Sequence, residues 1–186
     1  MKHIVNGAGE FQAELLKTMS NQAELPLILK ELELEFDAQI QKCLSAGLNI
    51  THLDSHANFA NKPAVIELLA RVAAKYALPV RGFAKRNDIV TVDHCTSGSA
   101  LKNVEFIIQH IELCRKMGHG IIEIYLHPTY IDGDYLKCSP VAANENWKKQ
   151  RERDVENACS PKLLKYLQEN NVKTVSYGEL RKSRSS

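Results

Sequence analysis

Three side chains able to bind a divalent metal stand close together in Thr51-His52-Leu53-Asp54-Ser55-His56. His52, Asp54 and His56 occupy alternate positions, so on an extended strand they share one face. Imidazole nitrogen and carboxylate oxygen together suit Zn2+ and related ions. Where a strand gives way to a loop, the same side chains can converge on one ion. The bland alternative is a set of polar residues satisfied at a strand end. So many metal-capable residues in so short a stretch favour the site.

His127 is the second candidate. It is followed by Pro128 and ends the apolar run from Gly120 to Leu126. A histidine directly after a buried strand, with an ordinary pKa near ~6.5, can act as general acid or base. It can equally be a loop-capping residue. Glu123 alternates with the apolar residues of that run and faces either a barrel interior or solvent. Asp93-His94-Cys95 groups ligand types, but no companion cluster follows it in the sequence. As a nucleophile and its base, Cys95 and His94 are neighbours in sequence, which rarely gives the needed side-chain geometry. His3, His110 and His119 stand in no chemical pattern. The chain has no phosphate-binding loop, dinucleotide fingerprint or Gly-x-Ser-x-Gly elbow.

Elements must position these residues, and apolar spacing predicts them. Leu27, Ile28, Leu32, Phe36, Ile40, Cys43 and Leu44 recur at helical intervals, with Pro26 in the first turn and Gly47 after the last periodic residue. Residues 48–53 then read as a short strand. Pro63 opens a helix through Val65, Ile66, Leu69, Val72, Ala73 and Tyr76, and residues 78–83 read as a second strand. Residues 88–92 read as a short extended piece and 93–100 as loop. A helix is predicted over 101–117, ended by Gly118, then a strand over 120–126, a polar loop to about Asn146, helices near 147–158 and 161–170, and a last strand over 172–177. Phe11 to Met19 shows weaker helical spacing, and Gly7-Ala8-Gly9 reads as a loop. The alternation of helix and strand predicts an α/β fold with mostly parallel strands and helical crossovers. In such folds function sits at the C-terminal ends of strands, where both candidate clusters lie.

Bulk properties narrow the function classes. The 186 residues are 44% hydrophobic and 25% charged, ordinary values for one globular domain. With 24 basic and 22 acidic residues the net charge is +2, which leaves no electrostatic footprint for nucleic acid. Arg181-Lys182-Ser183-Arg184 reads as a solvated tail. No apolar run approaches the ~18–20 residues that span a bilayer, and no secretory pattern opens the chain. The cysteines (Cys43, Cys95, Cys114, Cys138 and Cys159) are odd in number and form no Cys-x-x-Cys pair. They predict reduced thiols and a cytoplasmic location.

Taken in order, these pieces resemble the YdjC-like carbohydrate deacetylases, which include chito-oligosaccharide deacetylases. Glu35-x-x-x-Gln39 comes first, then Ile50-Thr51-His52-Leu53-Asp54-Ser55-His56, a proline-initiated helix and a strand ending in Val80-Arg81. Glu123-x-x-x-His127-Pro128 follows, then Arg151-x-x-Asp154, where the family usually has Glu at the last place, and a closing segment from Ser160 to Leu180. The family's signature usually continues with further histidines, where this chain has Asn58 and Ala60.

The resemblance implies an incomplete (β/α) barrel-like deacetylase fold and one divalent metal, Mg2+ or Zn2+. It implies that His56 is a metal ligand, that His52 and Asp54 orient the site with Arg81 and Arg151 in support, and that His127 is the acid. The expected reaction is removal of an acetyl group from an N-acetylated amino sugar or oligosaccharide. The alternative expectation is a remnant that binds a carbohydrate or a partner without turnover, because the family's opening Ala-Asp-Asp-x-Gly strand and a later Leu-His strand have no counterpart in these residues. On this reading the family's N-terminal third is missing. An uncovered sheet edge would then invite a homo-oligomer. The expected organisation is a single domain over 1–186, with a weakly defined segment at 1–24, a family region at 25–180 and a flexible tail at 181–186. The expected partner is a small carbohydrate, with neither nucleic acid nor membrane.

Overall fold

Pro26 lies in the first turn of α1 (Leu25–Ser45), where a missing N–H costs nothing, and Ile28, Leu32 and Ile40 form its buried stripe. The computed structural model describes residues 3–11, 23–55, 62–81, 89–138 and 144–183. The proposed ligand His56, Asn58, Ala60 and residues 12–19 of the weak N-terminal helix pattern therefore lie outside the described residues. Leu27 and Leu44, expected on the inner face of α1, are instead exposed.

Those residues form two compact units, one of residues 1–91 and 176–186 and one of residues 92–175. In the first, α1 packs on α2 (Pro63–Tyr76) through Ile28, Leu32, Val65, Leu68, Leu69 and Val72. Ile28, Val65 and Leu68 are wholly buried, and each such side chain contributes about 1.5–3 kcal/mol of transfer free energy. Burial extends around α2 to Ala70 and Ala73, which pack with Val80 and Ile89 in a second cluster. That second contact is why Ala70, outside the face predicted for α2, is buried, while Leu68, also outside it, is buried in the first cluster against α1.

The expected strand at 48–53 shrinks to one parallel bridge between Leu53 and Val80, with Val80 N–H also donating to the Val90 carbonyl at 3.0 Å. Val172–Ser176 is irregular, and the predicted last strand gives way to α7 (Tyr177–Ser183). Local chemistry explains the switch. Ser176 Oγ accepts from Glu179 N–H at 3.2 Å, while the Glu179 carboxylate accepts from Ser176 N–H at 2.8 Å. This reciprocal Ser-x-x-Glu capping box starts a helix. The Ser176 N–H, and the Ser176 hydroxyl donating to the same oxygen at 2.7 Å, hold the Glu179 carboxyl below its ordinary range. Arg181, read as part of a solvated tail, lies in α7 and donates to the Ile50 carbonyl at 3.3 Å.

In the second unit β1 (His94–Ser97) pairs in parallel with β2 (Ile122–Tyr125), registering His94 with Ile122 and Ser97 with Tyr125. β1 falls where the sequence predicts a loop, because its polar His-Cys-Thr-Ser run has no apolar alternation and pairing alone makes it a strand. A short 3-10 turn follows at Gly98–Ala100. The crossover is α3 (Val104–Lys116), begun by Asn103, whose side chain accepts from Phe106 N–H, and followed by Gly118 at φ +81°. Its buried stripe is Ile107, Ile111 and Cys114, while Leu113 is exposed. The expected polar loop contains a short helix, α4 (Gly133–Cys138). Asn144 caps α5 (Glu145–Ala158), and Ser160 caps α6 (Pro161–Glu169). Among the described residues no helix is long and apolar enough to cross a membrane.

Candidate active site

In the first unit the Leu53–Val80 bridge positions the expected residues. Leu53 N–H donates to the Pro79 carbonyl at 2.8 Å and Arg81 N–H donates to the Leu53 carbonyl at 3.0 Å. Leu53 packs into the core, so strand alternation turns its neighbours His52 and Asp54 the other way. Arg81 Nη1 meets Asp54 Oδ2 at 2.8 Å, and Ser55 N–H donates to Asp54 Oδ1 at 2.7 Å. Both carboxylate oxygens of Asp54 are thereby engaged. His52 stacks on Tyr177 with ring centroids 4.4 Å apart and planes 10° from parallel, and its Nδ1 lies 3.0 Å from Thr51 Oγ1. Capping at Ser176 thus also places Tyr177, a partner for His52 that the sequence reading missed.

In the second unit His127 lies two residues beyond β2 and is exposed. Its main chain is held from both sides by one helix. His127 N–H donates to Asp154 Oδ2 at 2.9 Å, and Arg151 Nη1 donates to the His127 carbonyl at 3.3 Å. Arg151 and Asp154 are one turn apart on α5 and so share a face. Arg151 also lies over the Trp147 ring, 4.3 Å from its centroid. Tyr125 meets the His127 ring edge-on at 5.8 Å.

Asp154 is wholly buried, and burial raises its carboxyl above the usual range against the opposing pull of Arg153 and Arg151. Its Oδ1 has no hydrogen-bond partner among the described residues. Burial likewise lowers the Arg151 guanidinium, with Asp154 opposing. Gly98 is needed where it stands, since a Cβ there would sit 2.1 Å from Leu126 Cδ2 and 3.2 Å from the Tyr125 carbonyl.

A third group of ligand types lies in the same unit. One ligand atom each from His94, His110 and Cys114 falls within 4.8 Å of the others. Cys95, read as a possible nucleophile beside His94, instead donates from Sγ to Glu123 Oε2 at 3.3 Å. Glu123 therefore pairs across the two strands.

A model of a family described as YdjC-like protein matches residues 1–169. The chain belongs to the YdjC-like family. The match takes in residues 1–24, where the sequence signals are weak. Among curated members of this family, a carbohydrate deacetylase of Geobacillus stearothermophilus is 30% identical over 185 residues, covering 96% of this chain and 69% of its own length. Another, from Brevibacillus brevis, is 26% identical over 162 residues, covering 81% of this chain and 62% of its own length. This YdjC-like chain therefore spans between 62% and 69% of those relatives. A crystal structure from Enterococcus faecalis, of a candidate cellobiose-phosphate cleavage protein, is similar with a TM-score of 0.70 at 25% identity. It is matched over 95% of this chain and 68% of that one.

Proposed function

We propose that this YdjC-like protein hydrolyses the acetamide of an N-acetylated amino sugar or oligosaccharide. The observation that carries the reading is His127 at the end of β2, with its N–H and carbonyl both held by α5. The curated relatives named carbohydrate deacetylases support the reaction class. In the reaction, water oxygen bonds to the acetyl carbon, the C–N bond breaks, and the nitrogen leaves with an added proton. His127 donates that proton, and its exposure leaves the ring reachable by a sugar. General acid help of this kind is worth ~10²–10⁴-fold in rate.

The reading includes one divalent ion, Mg2+ or Zn2+, which would supply an activated water. His56 is the ligand implied by family resemblance. The described part of its segment offers Asp54 only as a group already committed to Arg81 and the Ser55 amide. Asp54 and Arg81 on this reading orient the segment rather than bind the ion. The parallel pairing of Leu53 with Val80 and of β1 with β2 supports a (β/α) barrel-like arrangement. We also read the protein as cytoplasmic and its substrate as a small carbohydrate.

Acetate release from N,N′-diacetylchitobiose in the presence of Mg2+ or Zn2+ tests the proposal. Release that disappears in His127→Ala supports it. No release, under conditions where the Geobacillus relative is active, sinks it. Binding without turnover is the second reading, favoured by Asp54 being already committed to Arg81 and the Ser55 amide. It predicts sugar binding by calorimetry with no acetate.

A further inference from the structure

His94, the first residue of β1, faces one side of α3. From that helix His110 and Cys114, a turn apart, project together. The His94 and His110 rings lie 5.0 Å apart by centroid. Cys114 Sγ lies 3.6 Å from His110 Nε2. Bonds of about 2.3 Å to sulfur and 2.0 Å to nitrogen at a tetrahedral angle put those two donors about 3.5 Å apart. The observed spacing therefore already matches one edge of a zinc tetrahedron.

Cys114 is 2% exposed, and His94 Nε2 is buried with no hydrogen-bond partner among the described residues. A buried imidazole nitrogen without a partner has lost its hydration with nothing in return, and coordination would satisfy it. The widest donor pair, at most 4.8 Å apart, needs to close by no more than about 1.5 Å to reach a tetrahedral edge.

The surroundings are built to hold this arrangement. Asp93 Oδ2 accepts from Gly120 N–H at 2.8 Å and Ile121 N–H at 2.9 Å, which ties the start of β2 beside His94. His119 N–H donates to the Cys114 carbonyl at 3.0 Å, and the His119 ring stacks on His94 at 5.7 Å. That closes one side of the cluster. The cluster lies at the N-terminal ends of β1 and β2, whereas His127 follows the C-terminal end of β2. In α/β folds residues at the N-terminal end of the strands serve stability rather than catalysis.

We propose that His94, His110 and Cys114 form a structural site for a zinc-like transition-metal ion, clipping the start of β1 to α3. It uses none of the residues that the family resemblance assigns to the ion at His56. Two imidazoles and a thiolate suit Zn2+ or Co2+ and do not suit Mg2+, which takes oxygen ligands. The fourth position falls to water or to His119.

Titration of the whole, metal-stripped protein with Co2+ tests the proposal. Equimolar Co2+ should give a thiolate-to-cobalt charge-transfer band in the near ultraviolet. That band should be lost in Cys114→Ser, retained in Cys159→Ser, and half-saturated only at more than about 100-fold higher Co2+ in His110→Gln, since losing a ligand costs more than the ~10–100-fold lost with a residue that merely supports one. Absence of the band, or its survival in Cys114→Ser, would overturn the proposal. X-ray absorption on wild-type protein loaded with one equivalent of Zn2+ needs no variant to fold. One sulfur and at least two imidazole nitrogens are expected, and a shell without sulfur would dispose of the site.

Discussion

The buried carboxylate of Asp154 accepts the N–H of His127 at 2.9 Å, across 27 residues of sequence. One turn earlier on the same helix, Arg151 donates to the carbonyl of the same histidine. The two side chains fix a main-chain position and leave the imidazole to other work.

Asp154→Ala should destabilise the protein by about 1–3 kcal/mol, the scale of losing a hydrogen bond to a buried charged group. Asp154→Asn keeps an acceptor and should lose less. The pH dependence carries a sign. Burial raises the Asp154 carboxyl in the folded state, so the folded protein holds the proton more tightly than the unfolded chain does. The penalty of the buried charge is absent below the unfolded pKa and complete above the raised folded one. The melting temperature of Asp154→Asn relative to wild type should therefore rise with pH across that window. A difference that stays constant with pH would contradict the burial account.

His127→Ala should leave stability within about 0.5 kcal/mol, because the ring is exposed and the clamp acts on the main chain. Acetate release should fall by ~10²–10⁴-fold. Thermal melts beside the activity assay separate the two effects, and a large loss of stability would mean that the side chain is structural.

Gly98→Ala should cost about 1–3 kcal/mol through overpacking. The new methyl group would push Leu126 aside and press on the Tyr125 carbonyl, just before His127. Denaturant melts measure the cost. Turnover should drop further than the population of folded protein accounts for, since the displaced residues lead directly into the acid.

Arg81 and Asp54 form a partly solvated ion pair, with side chains 19% and 38% exposed. A double-mutant cycle with Arg81→Met and Asp54→Asn should give a coupling of only about 0.2–1 kcal/mol, falling as salt is added. Metal affinity and turnover should fall further, by ~10–100-fold, if the pair orients the His56 segment. Equal, small effects on stability and turnover would make it an ordinary surface pair.

Much of the fold was legible from spacing. Apolar recurrence and caps located α1, α2, α3, α5 and α6 to within a few residues, because helical burial is a property of neighbours in sequence. Ser-x-x-Glu at Ser176–Glu179 is equally local, a capping pattern that marks a helix start where apolar alternation alone predicts a strand. The strands were harder. β1 is polar and becomes a strand only by pairing with β2, while among the described residues the run at 48–53 makes a single bridge, Leu53 to Val80.

The site divides along the same line. By itself the sequence determined which residue types stand where: the His-x-Asp-x-His run, the His-Pro after an apolar strand, and a family membership that rests on their order. Only the tertiary structure decided what each touches. It tied Asp54 to Arg81, laid His52 on Tyr177, clamped His127 between Arg151 and Asp154, and gathered His94 with His110 and Cys114. Those contacts join residues distant in the chain, and no local periodicity encodes them. They arise when burial and hydrogen-bond satisfaction are met for a whole unit at once.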